Sequence, residues 1–373
     1  MKKFLALFLA LSCVISITGC SEQDKKFVET LRPVQTNTST STATMDLKFN
    51  YKEFEKIVDD IESYKIPADG EEYNSDESLD NELEQSNLVD KDGNISVSVI
   101  SNTKSDPTKN YADGDISLSV GSVSLKLGNV YVRGNDVYYS REYLLNSITL
   151  GGLLVGSNDT ESLNEIDELK NNVNQALGGK KYIKLDSSKD LGTDNLISNY
   201  ALNTRKEKQI DDFLTVFKDF NSLSVKETEN GATFELDSDS YSAFVTRTCE
   251  YLRARKDSYE QLFGIESSNY DESDAFFDEV IGLVNNHSFN NFMETAGLKF
   301  TVSDTVGKTD DTHYTDTIEG VFGKNGNDPI GTLTAKTEYT LTDNVTFENI
   351  DESVDYMDVM GVVIANNIIY GNR

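Results

Sequence analysis

Tryptophan is absent from the 373-residue chain, and cysteine, histidine and proline are scarce, with 3 Cys, 2 His and 4 Pro. Each shortage removes a class of explanation. Two of the cysteines, Cys13 and Cys20, fall at the N-terminus and only Cys249 lies beyond them, so neither a disulfide framework nor a cysteine zinc cluster has material. His287 and His313 are far apart in sequence, which leaves nothing from which to build a histidine-based triad or a zinc centre; solvated polar side chains are their simplest reading. Positive charge is also short. Lys plus Arg number 34 against 64 Asp plus Glu, a formal charge of -30, and such a surface repels nucleic acid and anionic headgroups. No glycine-rich phosphate loop appears, so no cofactor is expected. Beyond the N-terminus no apolar run reaches the ~20 residues that span a bilayer; Val359 to Ile369 comes nearest and is broken by Gly361, Asn366 and Asn367.

What the chain does have begins at its first residues. Lys2 and Lys3 precede an apolar run from Phe4 to Ile17, broken only by Ser12 and Ser16 within its second half. A basic start, a short apolar stretch and small residues after it make a secretory signal. The run ends in Ile17-Thr18-Gly19-Cys20, which resembles the bacterial lipobox at all four positions. That resemblance implies cleavage before Cys20 and a diacylglyceryl group on its thiol, hence an extracytoplasmic lipoprotein held on the outer face of a cell membrane. An unlipidated signal peptide or an uncleaved anchor is the competing reading, and the shortness of the run opposes the anchor. With Cys13 removed and Cys20 acylated, Cys249 would stand alone.

Residues 20–43 read as the lipidated cysteine and a flexible tether, because charge mixes there with the run Thr36-Asn37-Thr38-Ser39-Thr40-Ser41-Thr42 and little is available to bury. A domain is expected over 44–350, with an acidic insertion at about 68–92 and a tail at 351–373. Within the domain, Met45, Leu47 and Phe49 alternate as a strand, and Tyr51, Phe54, Ile57, Val58, Ile61 and Tyr64 form a helical stripe capped by Asn50 and stopped before Pro67. Ile95 to Val99, Ile116 to Val120 and Val123 to Leu127 alternate again, with a parity change at Gly121-Ser122 that is either a two-residue hairpin turn or a bulge. A helix is expected from about Asp159 to Leu177, ended by Gly178. The middle is helical, from Thr204 through Phe220 and from about Tyr241 to Phe263, with shorter helices at about 273–284 and 288–296. Asn230-Gly231 is the strongest turn signal between them. Strands return from Leu298 to Phe347. Strands, helices and strands again predict an α+β fold with a largely antiparallel sheet, in which strands from both ends of the chain join and the helices form a layer on one face.

Val130 to Arg133 and Val137 to Ser140 flank Gly134-Asn135-Asp136, and Lys181-Tyr182-Ile183-Lys184-Leu185 follows after a helical insertion. This pair of segments resembles the signature of the lipoprotein localisation factor-like lipoproteins, the LolA/LppX/LprG-like superfamily. The resemblance implies a curved, unclosed half-barrel whose concave face is packed with helices around an apolar cavity that holds acyl chains.

Sites for chemistry are few. Asp90-Lys91-Asp92-Gly93-Asn94 resembles the opening of a calcium loop, but Ile95 stands where such a loop needs glycine and Ser101 where it needs a bidentate glutamate, so an acidic turn before a strand is expected and no metal. Cys249, in a helix beside Val245 and Leu252, is expected to be buried and inert. The aromatic stripe of Phe213, Phe217 and Phe220 is the candidate wall of a ligand cavity, with a filled core as the alternative. Two functions stay open, both non-enzymatic: a binding or carrier protein for an apolar or amphiphilic ligand such as a lipid, or an envelope lipoprotein with a filled core that meets other proteins. The lipobox reading is testable directly. In a lipoprotein-competent bacterium Cys20→Ala should abolish both labelled-palmitate incorporation and membrane retention, and a variant that still incorporates palmitate would rule lipidation at Cys20 out.

Overall fold

The computed structural model describes residues 22–62, 88–134, 136–154, 160–185, 206–255, 296–324 and 329–361, with single positions at 278, 281, 282 and 294. Twelve strands form one mixed, mostly antiparallel sheet that does not close on itself. In chain order they are β1 (Ser39–Asn50), β2 (Asn94–Asp106), β3 (Tyr111–Val120), β4 (Val123–Arg133), β5 (Asp136–Ser140), β6 (Tyr182–Leu185), β7 (Val225–Thr228), β8 (Gly231–Asp237), β9 (Leu298–Lys308), β10 (His313–Lys324), β11 (Pro329–Leu341) and β12 (Ser353–Asp355). Their order runs β12-β6-β5-β4-β3-β2-β1 through one set of strands and β11-β10-β9-β8-β7 through the other. This is the α+β, largely antiparallel arrangement that the alternation predicts.

The expected contiguous domain divides differently. One compact unit is drawn from Met1–Asn37 and Leu196–Leu341, the other from Thr38–Asn195 and Thr342–Arg373.

In the first unit, helix α1 (Glu22–Thr36) packs on β7, β8, β9 and β11. This corrects the tether reading of 20–43. Phe27, Leu31 and Val34 recur at helical spacing and are buried with Phe217, Phe234 and Val306, and that burial outweighs the charges around them and the Pro33 inside the helix. The serine and threonine run after α1 is the first half of β1, paired residue by residue with the largely polar second half of β2, Ser39 with Ser105 through Thr44 with Ile100. Ladder hydrogen bonds and the strand preference of threonine suffice there without apolar side chains. The β7–β8 hairpin pairs Thr228 with Gly231, so its turn is Glu229-Asn230, one residue earlier than the Asn230-Gly231 signal suggests. Gly231 is needed for another reason: a Cβ there would lie 1.9 Å from the carbonyl oxygen of Val306. Helix α5 (Lys206–Val216) and helix α6 (Ser238–Ala254) also belong to the unit; the two shorter helices expected at 273–284 and 288–296 lie almost wholly outside the described residues.

In the second unit β1 to β5 form antiparallel neighbours, with the Gly121-Ser122 change resolved as a two-residue turn between Val120 and Val123 and Gly121 at φ 56. A separate bulge falls between Ile116 and Ser117. It brings Gly128 so close to helix α3 (Arg141–Leu154) that a Cβ would sit 2.6 Å from the backbone nitrogen of Tyr143. This helix has no counterpart in the sequence reading. Ser140 caps it, its hydroxyl accepting from the backbone N–H of Tyr143 and of Asn129, each at 3.1 Å. Helix α4 (Thr160–Ala176) packs on α3, and Val173, Leu177, Ile183 and Val359 form the buried core. The acidic insertion expected at 68–92 falls mostly outside the described residues. Of the expected tail at 351–373 the described part, 351–361, is built into the fold, because β12 pairs in parallel with β6 and Val359 is fully buried.

Arg133 fastens the strand-free stretch that leads to β12. Its guanidinium forms an ion pair with Asp113 at 2.5 Å, both side chains being only 12 % exposed, and donates to the carbonyl of Glu348 at 2.6 Å. It also lies 5.0 Å from the ring centroid of Tyr111 and 5.6 Å from that of Phe347. Asp113 in turn accepts from the backbone N–H of Glu348 at 2.7 Å. Removing one partner of a buried pair leaves the other charge uncompensated, so Arg133→Ala should lower the unfolding free energy by about 3 kcal/mol in urea titration, with 342–352 becoming the first protease-sensitive segment.

Candidate functional site

The residues predicted from the sequence do not converge. Ile17, Thr18, Gly19 and Cys20 lie outside the described residues, as does the side chain of Phe213. Phe217 and Phe220 do not line an opening: they are 0 % and 2 % exposed. Tyr251 stacks on Phe217 at 5.6 Å between centroids and meets Phe220 edge-on at 4.9 Å. Together with Phe27, Phe234 and Phe244 they fill the core of the first unit. Phe217 and Phe220 are therefore core residues, because α1, which the sequence reading treats as tether, closes over them.

An apolar surface of a different kind lies on the second unit. Cross-strand register places Met45, Val99, Leu118 and Leu125 in one row and Leu47 and Val97 in the next, all on one face of β1 to β4. Every one of these six side chains is only half-buried. The face behind them is polar, with Asp46, Lys48, Ser98, Ser117 and Ser119 in the alternating positions. Aliphatic side chains in adjacent rows that keep part of their surface open are what an apolar ligand requires, and what a closed core does not leave. The strand alternation in the sequence identifies these residues; which of them stay open depends on where helices cover the sheet. At one end of the face α2 (Tyr51–Glu62) lays Phe54 against Phe49, centroids 5.5 Å apart.

The second feature is a buried acid pair that sequence reasoning missed. In the first unit β9 and β10 place Asp304 opposite Ile318 and Asp316 opposite Val306, so the two aspartates are diagonal neighbours on the face that carries Phe234 and Val306. Asp304 is 6 % exposed, and one carboxyl oxygen of each residue is buried without a hydrogen-bond partner. Burial, then the like charge and hydrogen bond of Asp316, push the Asp304 carboxyl up to about 8. Burial also raises Asp316, while its hydrogen bond with Asp304 acts the other way. This is the pattern of one proton held by Asp304 and donated to Asp316. The signal available in the sequence was an aspartate at an inward position of each of two strong strands, Val302-Ser303-Asp304 and Asp316-Thr317-Ile318, but their meeting depends on register.

The remaining candidates are occupied by their own backbone. The Asp90 carboxylate accepts from the N–H of Asp92 and of Asn94 at 2.8 and 2.9 Å, and these bonds, that from Asn94 foremost, lower its pKa; it closes the turn before β2. Among the described residues no group of three or more His, Cys, Asp or Glu is placed to hold a metal. His313 is exposed and bonded through Nδ1 to Asp310 at 2.9 Å, while His287 lies outside the described residues. Cys249 is buried and its thiol is pushed up by desolvation, as its helical setting leads one to expect. Among the described residues no helix is long and apolar enough to cross a membrane. Comparison of the chain with family models, with curated proteins and with solved structures gives no match.

The acid pair makes stability depend on pH. Asp304 binds its proton more tightly folded than unfolded, so its contribution is complete below about pH 4 and is lost as pH rises toward about 8. Asp304→Asn should flatten this decline and raise stability near pH 8 by roughly 1 to 3 kcal/mol, measured as thermal or urea unfolding across the range. A wild type whose stability does not fall between pH 5 and 8 would contradict the shared proton.

Proposed function

We propose that this chain is an extracytoplasmic lipoprotein, anchored to the outer face of a cell membrane through an acylated Cys20, that binds or carries an apolar or amphiphilic ligand without catalysing a reaction. The observation that carries the binding reading is the half-buried aliphatic face of β1 to β4, with Met45, Val99, Leu118 and Leu125 in one row. An open antiparallel sheet with helices also agrees with the resemblance to the lipoprotein localisation factor-like superfamily, in which the sheet holds acyl chains. The binding face moves, however, from the Phe213, Phe217 and Phe220 stripe to the second unit. The filled aromatic core of the first unit favours the other reading for that half of the molecule: a solid scaffold whose acidic exterior meets proteins of the envelope.

Two substitutions separate these readings. Leu118→Lys places a charge on the half-buried face and should cost no more than about 1 kcal/mol of stability while abolishing saturable binding of a fluorescent fatty acid. Phe217→Trp overpacks a closed core and should cost about 1 to 3 kcal/mol while leaving that binding unchanged. A well-folded wild type with no saturable binding across a panel of fatty acids and glycolipids would eliminate the carrier reading and leave the scaffold.

A further inference from the structure

Leu223 occupies a position that leucine should avoid twice over. It is the most exposed of the large hydrophobic residues in the described structure, at 72 %, and its φ of 60° lies in the left-handed region, where a Cβ is crowded and glycine or asparagine is preferred. A leucine there gains nothing from the fold, since its side chain leaves the protein, and it strains the backbone. Its surroundings are nevertheless firmly built. The backbone N–H of Leu223 donates to the side-chain oxygen of Asn221 at 2.9 Å. Ser222 gives both its backbone N–H, at 3.1 Å, and its hydroxyl, at 2.6 Å, to the carboxylate of Asp24, which is fully buried in the first turn of α1.

Asp24 lies four residues after Cys20 in the sequence. At most ~3.6 Å of chain per residue keeps the Cys20 Cα within about 14 Å of Asp24, whatever path the chain takes, and α1 begins only two residues after Cys20. The loop that presents Leu223 is therefore fastened to a residue that lies within that span of Cys20. We infer that Leu223 is a membrane contact: its side chain enters the acyl region of the leaflet that holds the lipid on Cys20, fixing the first unit directly against the bilayer instead of on a stalk. The bilayer is the occupant that chain length selects, because no other apolar phase is held this close to the loop. The inference rests on acylation of Cys20.

The test uses the acylated full-length mature protein in phosphatidylcholine and phosphatidylglycerol vesicles. A nitrobenzoxadiazole dye is attached at position 223 through Leu223→Cys in a Cys249→Ser background, with Asp311→Cys, in the exposed β9–β10 turn, as the control site. The dye at 223 should shift to the blue and be quenched by lipids brominated in the upper acyl chain, while the dye at 311 should report water. Leu223→Gly, which suits the left-handed backbone and should fold at least as stably, is expected to weaken vesicle partition of singly acylated protein by about tenfold. Vesicle-bound protein with palmitate on Cys20 but a water-like signal at 223 would overturn the contact and leave the anchor standing. A protein with no acyl group on Cys20 would overturn both.

Discussion

Everything in this structure answers to the period of two along its strands. Because side chains alternate across a sheet, each long strand presents one apolar row and one polar row, and the apolar row must be covered or left to bind something else. In the first unit α1 and α6 are laid over β8 and β9, and aromatic side chains close the space between, so that Phe217, Phe234 and Val306 are buried. In the second unit α3 covers β4 and β5, while the aliphatic rows of β1 to β3 remain half-buried. The difference between a buried row and a half-buried one thus lies in the helices, since the strand patterns are alike.

Polar groups inside each unit are handled in opposite ways. Arg133 and Asp113 form an ion pair and each also bonds the backbone of Glu348, so a charged pair fastens a stretch of chain that has no ladder of its own. Asp304 and Asp316 bring two groups of the same sign together, and the pair is compatible with burial only while a proton remains between them. The first arrangement holds the return crossing in place; the second gives the other unit a dependence on pH that its apolar core would otherwise lack.

On the proposed reading, the N-terminal helix has two tasks. Its buried stripe closes the first core, and its first turn joins the acyl anchor to the loop at Leu223 through Asp24. A helix that serves as both lid and anchor post leaves no length for a stalk, so a carrier built this way would work at the membrane surface, taking its ligand from, or passing it to, the leaflet beside it.

Much of this was legible in the sequence, and the legible part is local. The alternation of β2 to β4 and of the apolar half of β1, the Asn50 cap of α2, the Gly178 stop of α4 and the antiparallel α+β class all follow from patterns spanning fewer than about twenty residues. The tertiary structure decided what depends on distant partners. Residues 22–36 looked like tether because three apolar side chains and a proline do not make a convincing helix alone; Phe27, Leu31 and Val34 become decisive only against a sheet whose strands lie some two hundred residues later. The polar half of β1 became a strand because β2 offered it a ladder. Asp304 and Asp316 met through register, and Phe217 became core, not cavity wall, through α1. Local periodicity determines which face of an element is apolar, but only the packing of remote segments determines whether that face is sealed, shared with a proton or left open.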